Sequence, residues 1–468
     1  MAAPRTLASK IWEPHVVATL GDGMDLLFVD RHLLHDLAGV ISLEEMAEKG
    51  LRTVRPDLTI ATFDHAISTE VSRGTDTTAM SSRYVPPMIA LCLDAGIPMF
   101  DLGSAGQGIV HVVGPEQGLT LPGLSIVCGD SHTTTHGAFG ALAWGIGSSE
   151  VTHVLATQTI RVRRPSNCRI RLTGTRQQGV GGKDIILHVI GQLGVAAGVG
   201  AIVEWAGPVV DAMSLEERMV VCNMTVEMGA KFALMAPDEK TFAYLEGRPF
   251  SPKGENWDAA VAYWRTLTSD AGAVFDRDID IDCTAVSPQI TWGTTPEQVV
   301  DVTGTVPDPA AESDPMRKVQ MENALAYMDL RPGQALRDVP IDWVFIGSCA
   351  GGRIEDLRTA AHLVRGRTIA AGVRGWIVPG STLVRQLAEA EGLDAVFLSA
   401  GFEWRQSGCS LCAASNGETV PAGARCVSTS NRNFVGRQGP GARTHIASPA
   451  VAAASALAGH IADPQRFL

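Results

Sequence analysis

At 468 residues, 45% apolar and 19% charged, the chain has ordinary globular composition and length for about two to four domains with substantial cores, which sets disorder aside for most of it. Its formal net charge of -12 argues against a nucleic acid or an anionic membrane surface as main partner, since either favours clustered Lys and Arg, but it leaves room for small anionic substrates held by local arginines. There is no fixed-period repeat and no low-complexity tract, so solenoids and coiled coils are excluded as well.

The first residues, MAAPRTLASKIWEPHVV, place charge and Pro where a secretory signal needs an uninterrupted apolar core, and a cytoplasmic location is expected. Short β-rich runs follow, each ending in small or reactive residues and each succeeded by a helical pattern: TIATFDH at 59–65 and LSIVCGDSH at 124–132 come first. Ser148 is placed to cap a helix carrying Val151, Val154 and Leu155, and the charged, Pro-containing RVRRPSN at 161–167 reads as a joint. Ile185 to Val203 lacks charge, but four glycines, His188, Gln192 and the adjoining Glu204 mark buried helix, loop and strand rather than a membrane span. The Asp- and Pro-rich region 276–316 reads as a second joint. Beyond it, VFIGSC at 344–349 and WIVPGS at 376–381 repeat the strand pattern, and Ile354, Leu357, Ala361 and Val364 recur at spacings of three and four on one helical face. Ser448-Pro449 opens an Ala-rich helix that stops at Gly459. This alternation predicts an α/β fold with mainly parallel sheets, in three α/β/α domains near 1–165, 166–285 and 286–468, with reactive groups beyond the carboxyl ends of strands.

Nine cysteines, odd in number and mostly isolated, suit a reducing compartment better than a disulfide framework. Cys409 and Cys412 form CSLC, and Cys349 stands alone in IGSCAGGR at a strand-to-helix turn. Taken by itself a CxxC fits zinc, a redox dithiol or two unremarkable cysteines. No second CxxC or finger-spaced His pair follows, and a thioredoxin-type motif belongs after an early strand, so the residues alone leave a metal or cluster site open. Cys92, Cys128, Cys168, Cys222, Cys283 and Cys426 read as small buried residues.

Titratable groups gather at predicted strand ends: Asp64-His65, His111, Asp130-Ser131-His132, and Glu227 in NMTVEMGA. A carboxylate beside a His fixes its tautomer and stabilises the imidazolium, although any one of these is as readily a structural His or an N-cap carboxylate. Arg432 and Arg437, in SNRNFVGRQ, read by themselves as a solvated surface face. Arg353 and Arg358 read as flanking the helix after Cys349.

The blocks GIVHVVGPEQGLTLPG, IVCGDSHTTTHGAFGALAWGIG, VCNMTVEMGAK, GSC with RIEDLR, AGFEWR with GCSLC, and STSNRNFVGRQG resemble the signature segments of the aconitase superfamily, and within it the isopropylmalate isomerase family, from about residue 7 to 463. The resemblance implies an aconitase-type fold around a central cluster site. It implies that Cys349, Cys409 and Cys412 hold one 4Fe-4S cluster whose fourth iron has no protein thiolate, a ligand set suited to Lewis-acid chemistry. Asp64-His65 matches the family's proton-donating pair, and His111 with Asp130 and His132 with Glu227 match its supporting pairs. Ser131, Asn223 and Asn431 match polar contacts, and Arg432 and Arg437 the substrate cations. The implied activity is reversible dehydration and rehydration of a small dicarboxylate: isopropylmalate, through isopropylmaleate, in leucine biosynthesis. A related 2-alkylmalate (2-methylmalate or dimethylmalate) or a homoaconitase substrate comes second, and a cluster-weak regulatory or structural paralogue is the non-enzymatic alternative. Members fused into one chain carry a further swivelling domain that contributes the serine base and another arginine. None follows GHIADPQRF, so a separate small subunit is expected to supply it.

The sequence departs from the family pattern at one conspicuous place. The usual GSCTNSR has Ala350, Gly351 and Gly352 here, removing side-chain hydrogen-bond partners near the cluster and, by glycine's freedom, loosening the turn, so lower cluster stability is expected. Milder departures are Asp64-His65-Ala66 for DHN and CSLCAASN for CSMCLAMN.

Overall fold

The apolar runs that end in reactive residues are buried parallel strands. In the computed structural model, which describes residues 3–468, TIATFDH supplies Thr59–Thr62, LSIVCGDSH supplies Ser125–Cys128, VFIGSC supplies Trp343–Ile346 and WIVPGS supplies Arg374–Ile377. Continuous burial on both faces, as in Thr59–Thr62 and Trp343–Ile346, is what strands covered by helices on each side require.

The chain forms two compact units: residues 3–66, 80–175 and 196–283 make the first, and residues 67–79, 176–195 and 284–468 the second. The first contains a five-stranded sheet in the order Met99–Phe100, Thr59–Thr62, Arg31–His35, Ser125–Cys128, Leu142–Gly145, parallel throughout. A second parallel sheet runs Phe232–Met235, Ala201–Ala206, Ser166–Thr173, Arg277–Asp282. On that outer strand Asp278 and Asp280 stand in register with Arg169 and Arg171 and accept from their guanidinium groups at 2.5–3.1 Å, a charged ladder that keeps the edge from pairing further. Val16–Gly21, Met24–Phe28 and Thr159–Arg163 form a small antiparallel sheet.

The second unit is organised on the parallel sheet Glu403–Trp404, Arg374–Ile377, Trp343–Ile346, Arg425–Ser428, Arg443–Ile446. Each of the three parallel sheets falls within one of the residue ranges expected for a domain, while the helix Gly182–Leu193, from the middle range, packs in the second unit. The α/β class read from the sequence is the architecture found.

Local signals were mostly literal. Helix Ile354–Val364 buries Ile354, Leu357, Ala361 and Val364, and Pro449–Ala458 lies between the Ser448 cap and Gly459 in the left-handed region at φ 77°. Ile185 to Val203 is the end of helix Gly182–Leu193, a loop and the start of strand Ala201–Ala206. Ser148 is not a cap: it is the first helical residue, and Gly147 precedes it with its N–H donated to Glu150 Oε2 at 2.9 Å. The Glu150 carboxylate thus satisfies the N–H of the N-cap residue, the half of a capping box that a glycine N-cap permits. The stretch 161–167 links two strands directly, and the region 276–316 opens with strand Arg277–Asp282 and carries the hairpin of Gln289–Thr291 and Val299–Asp301. Among the described residues, no helix is long and apolar enough to cross a membrane.

Candidate active site

In the first unit three neighbouring strands, Thr59–Thr62, Arg31–His35 and Ser125–Cys128, point the same way, and beyond their carboxyl ends lie Asp64-His65, Asp36 and Asp130. Asp130 caps the nine-residue 3-10 helix Ser131–Phe139 by accepting the His132 N–H at 2.6 Å. That helix lies close against strand Phe232–Met235, where a side chain at Gly137 would overlap the Ala233 carbonyl. The close approach brings Glu227, on the short helix Thr225–Met228, within reach of His132.

Asp130 is the hub of the resulting network. Its carboxylate lies 3.2 Å from His65 Nε2, 3.2 Å from His111 Nε2 and 3.4 Å from His132 Nδ1. Behind each imidazole stands a further group. His65 Nδ1 meets Asp64 Oδ1 at 2.5 Å, and the other Asp64 oxygen accepts the Val110 N–H at 3.0 Å. His132 Nε2 meets Glu227 Oε1 at 2.8 Å, and His111 Nδ1 lies 3.1 Å from His136 Nε2, whose other nitrogen is 2.7 Å from Thr120 Oγ1. Burial alone raises the Asp130 carboxyl, but the imidazoles of His111, His132 and His65 outweigh it and hold it well below the ordinary range. Asp64 behaves likewise: desolvation is outweighed by His65, by His35 and by the Val110 N–H, so its carboxyl is lowered. Burial moves His111 the other way, toward the neutral ring, against the pull of Asp130.

With a carboxylate against each ring nitrogen, His65 has two acceptors for two N–H bonds, the arrangement of a proton donor. It is also the most open of the three, its side chain 12% exposed against 1% for His111 and 4% for His132. Ser131, half-buried, lines a cavity of about 370 Å³ together with Gly129, Gly145, Ile146, Val226 and Lys231. Asn223 is fully buried, and its amide donates to Thr135 Oγ1 at 2.8 Å, bracing the 131–139 helix.

Two residues escaped the sequence reading. His35 stacks on His65 with centroids 4.6 Å apart, and Asp36 accepts the backbone N–H groups of His65 at 3.2 Å and Ala66 at 2.8 Å. The signal was available, since RHLLHD ends a buried strand in the same manner as TIATFDH.

In the second unit Cys349 follows strand Trp343–Ile346 on a turn where Ser348 is left-handed at φ 73°, and CSLC forms the 3-10 turn Ser410–Cys412 with Ser410 at φ 49°. Both strained serines are held: Ser348 Oγ donates to Thr429 O at 3.1 Å, and Ser410 Oγ donates to Glu418 at 2.5 Å. Glu418 is itself almost buried, and also accepts from Thr69 N–H, Thr69 Oγ1 and Arg405 at 2.7–2.9 Å. Asn431 joins two of the cysteines, donating from Nδ2 to Cys349 Sγ at 3.4 Å and accepting from Cys412 Sγ at 3.6 Å. Arg432 and Arg437 are half-buried rather than solvated, with Arg437 5.4 Å from the Phe434 ring centre. Arg358 forks onto Glu391 at 2.6 and 2.9 Å, and Arg353 is buried at the N-cap of helix Ile354–Val364.

The turn after Cys349 is not loose. Ala350, Gly351 and Gly352 are all buried, a side chain at Gly351 would overlap Thr429, and one at Gly352 would crowd Ser348 O and Val378 O. The expectation of a turn loosened by glycine is corrected by that packing.

Two of the three thiols, Cys349 and Cys412, share a polar partner of the kind that steadies an iron-sulfur group. Asn431 donates to sulfur, a stabilising contact for thiolate, whereas burial pushes up the other thiols, to about 12 at Cys92 and about 11 at Cys283, and marks them as inert. Among the described residues no disulfide forms.

The profile of the aconitase family (aconitate hydratase) matches residues 9–459, so the chain belongs to the aconitase family. At finer resolution, it is 56% identical over 460 residues, 98% of this chain and 96% of the relative, to 3-isopropylmalate dehydratase large subunit 1 of Bradyrhizobium diazoefficiens. Among solved structures it is similar to the holo-form of Thermococcus kodakaraensis aconitase X at a TM-score of 0.46 and 12% identity, over 87% of this chain and 84% of that one.

Proposed function

We propose that this chain is the large subunit of a 3-isopropylmalate dehydratase, a hydro-lyase that interconverts 2- and 3-isopropylmalate through isopropylmaleate in leucine biosynthesis. Identity of 56% along nearly the whole chain supports the reading, and the observation that carries it is His65 set between Asp64 and Asp130. Dehydration of a hydroxy-diacid needs a proton delivered to the departing oxygen, and a ring with an acceptor at each nitrogen holds one for that purpose. Asp64 orients the ring, Asp130 compensates its charge, and His111, His132 and Glu227 keep Asp130 ionised and fixed. Arg432 and Arg437 pair with the substrate carboxylates, and Ser131 and Asn431 contribute polar contacts.

Proteins of this family generally use a 4Fe-4S cluster; held by Cys349, Cys409 and Cys412, it supplies Lewis acidity toward the substrate hydroxyl. The base that removes the carbon-bound proton is assigned to a small subunit bearing the swivelling domain, so the working enzyme is a heterodimer or a multiple of one, in the cytoplasm. The parallel sheets around 31–145, 166–282 and 343–446 are read as the cores of three domains.

The Ala350-Gly351-Gly352 turn favours a second reading, a dehydratase for a related 2-alkylmalate. The deciding experiment is turnover of 3-isopropylmalate, 2-methylmalate and homocitrate by the anaerobically reconstituted chain mixed with its small subunit. A strong preference for isopropylmalate, seen only with both chains and with iron and sulfide, is expected; preference for another of the three sinks the substrate assignment.

A further inference from the structure

A lysine inside a protein is unusual, because its ammonium forfeits hydration. Lys183 is 3% exposed, near the start of helix Gly182–Leu193. Its Nζ donates to Ala350 O at 3.1 Å, to Ser430 O at 2.7 Å and to Thr429 O. The ammonium has three N–H bonds, and all three go to backbone carbonyls. Those carbonyls belong to two loops of the same unit: the turn immediately after Cys349, and the 429–432 segment that carries Asn431 and Arg432.

Nearby carboxylates are otherwise engaged. Asp184 accepts the Gly181 and Gln289 N–H groups, both at 2.9 Å, and Asp356 accepts the Arg353 N–H at 3.0 Å. The Ala-Gly-Gly turn offers no polar side chain by which it could be held, and Lys183 grips it by a carbonyl instead.

We propose that Lys183 is a positioning residue for the iron-sulfur group: it ties the Cys349 turn to the loop bearing Asn431 and Arg432, and sets a positive charge beside that turn. This rests on the reading of Cys349, Cys409 and Cys412 as cluster ligands. Three thiolates leave such a cluster net negative, and a buried cation beside it stabilises the more reduced state. Methionine, of similar size, supplies neither donors for the carbonyls nor that charge, and glutamine supplies donors without the charge.

The test is anaerobic reconstitution of the full chain, and of Lys183→Met and Lys183→Gln, with iron and sulfide. Three quantities are then measured: iron per chain, the rate of iron loss to a chelator, and the cluster midpoint potential by an EPR-monitored titration. Far-UV circular dichroism of the apo chains reports folding. Both variants are expected to lose iron about 10- to 100-fold faster and to show a more negative potential. Unchanged release and potential in a folded variant overturn the proposal. So does faster release at unchanged potential, since a purely structural lysine does that much. Where the Met variant does not fold, Lys183→Gln, which keeps N–H donors and loses the charge, carries the same readouts. A parent chain that takes up no iron brings down the cluster reading itself, and the proposal with it.

Discussion

The imidazole–carboxylate centre around Asp130 and the thiol centre around Asn431 are built by opposite means. In the first, reactive side chains hold one another: His65, His111 and His132 share Asp130, and Asp64 and Glu227 close the outer positions. In the second, Asn431 bonds the sulfurs of Cys349 and Cys412 at 3.4 and 3.6 Å, and shorter bonds belong to the supports, Glu418 to Ser410 and Lys183 to the backbone. A network of complementary charges is rigid once its members are buried together, whereas thiols that form no disulfide with one another must be placed from outside. The two centres therefore fail differently under mutation.

The sharpest separation comes from removing one member of each. Cys349→Ser is expected to abolish both iron uptake and turnover, while Asp130→Asn keeps iron per chain at the parent's level and lowers turnover by about 100- to 10,000-fold. Iron analysis beside a steady-state assay checks both, and an Asp130→Asn chain that also loses iron would erase the distinction. Next in size is Glu418→Gln, which removes the buried carboxylate that Arg405, Thr69 and Ser410 share and leaves Arg405 only the more exposed Glu403. A loss of about 3–5 kcal/mol is expected, read from the urea midpoint of the apo chain. Gly351→Asn, the residue usual in the family, is expected to destabilise by about 1–3 kcal/mol because Thr429 occupies the space. A higher melting temperature in that variant would show that the turn can repack.

A last effect is shared by both units and depends on pH. Burial, reinforced by His35, holds the fully buried His32 down at about 3; burial, reinforced by Arg425, does the same to His445. At His445 the geometry gives the reason, since Arg425 can only donate and Nε2 must accept at 2.9 Å, leaving Nδ1–H for Thr291 O at 2.6 Å. Between pH 6.5 and about 3 the unfolded chain binds the protons that these rings refuse, so stability falls as pH falls, by about 1.4 kcal/mol per pH unit for each. Urea titrations at two pH values, with His445→Gln as comparison, give the slope; an equal slope in that variant removes His445 from the account.

The strands and most helix ends were legible because their signals are local: an apolar run, a Pro after Ser, a Gly in the left-handed region. The pairings around Asp130 were legible only through the resemblance, since nothing in the spacing of His65, His111 and His132 says that they converge on one carboxylate. His35 and Asp36 were missed although their strand ends as its neighbours do. Lys183 and Glu418 were beyond sequence reasoning, because long charged residues lie at the surface by default and only tertiary packing reveals the exceptions. The same holds for Gly351, whose role is set by Thr429, 78 positions later.

Interleaving in the chain has a consequence for biosynthesis. Thr69 belongs to the second unit and bonds Glu418 across 349 positions. At ribosomal rates of roughly 5–20 residues per second, the 67–79 segment waits about 20–70 s for its partner after leaving the ribosome. The strained CSLC turn thus acquires its Thr69–Glu418 anchor only when the chain is nearly complete.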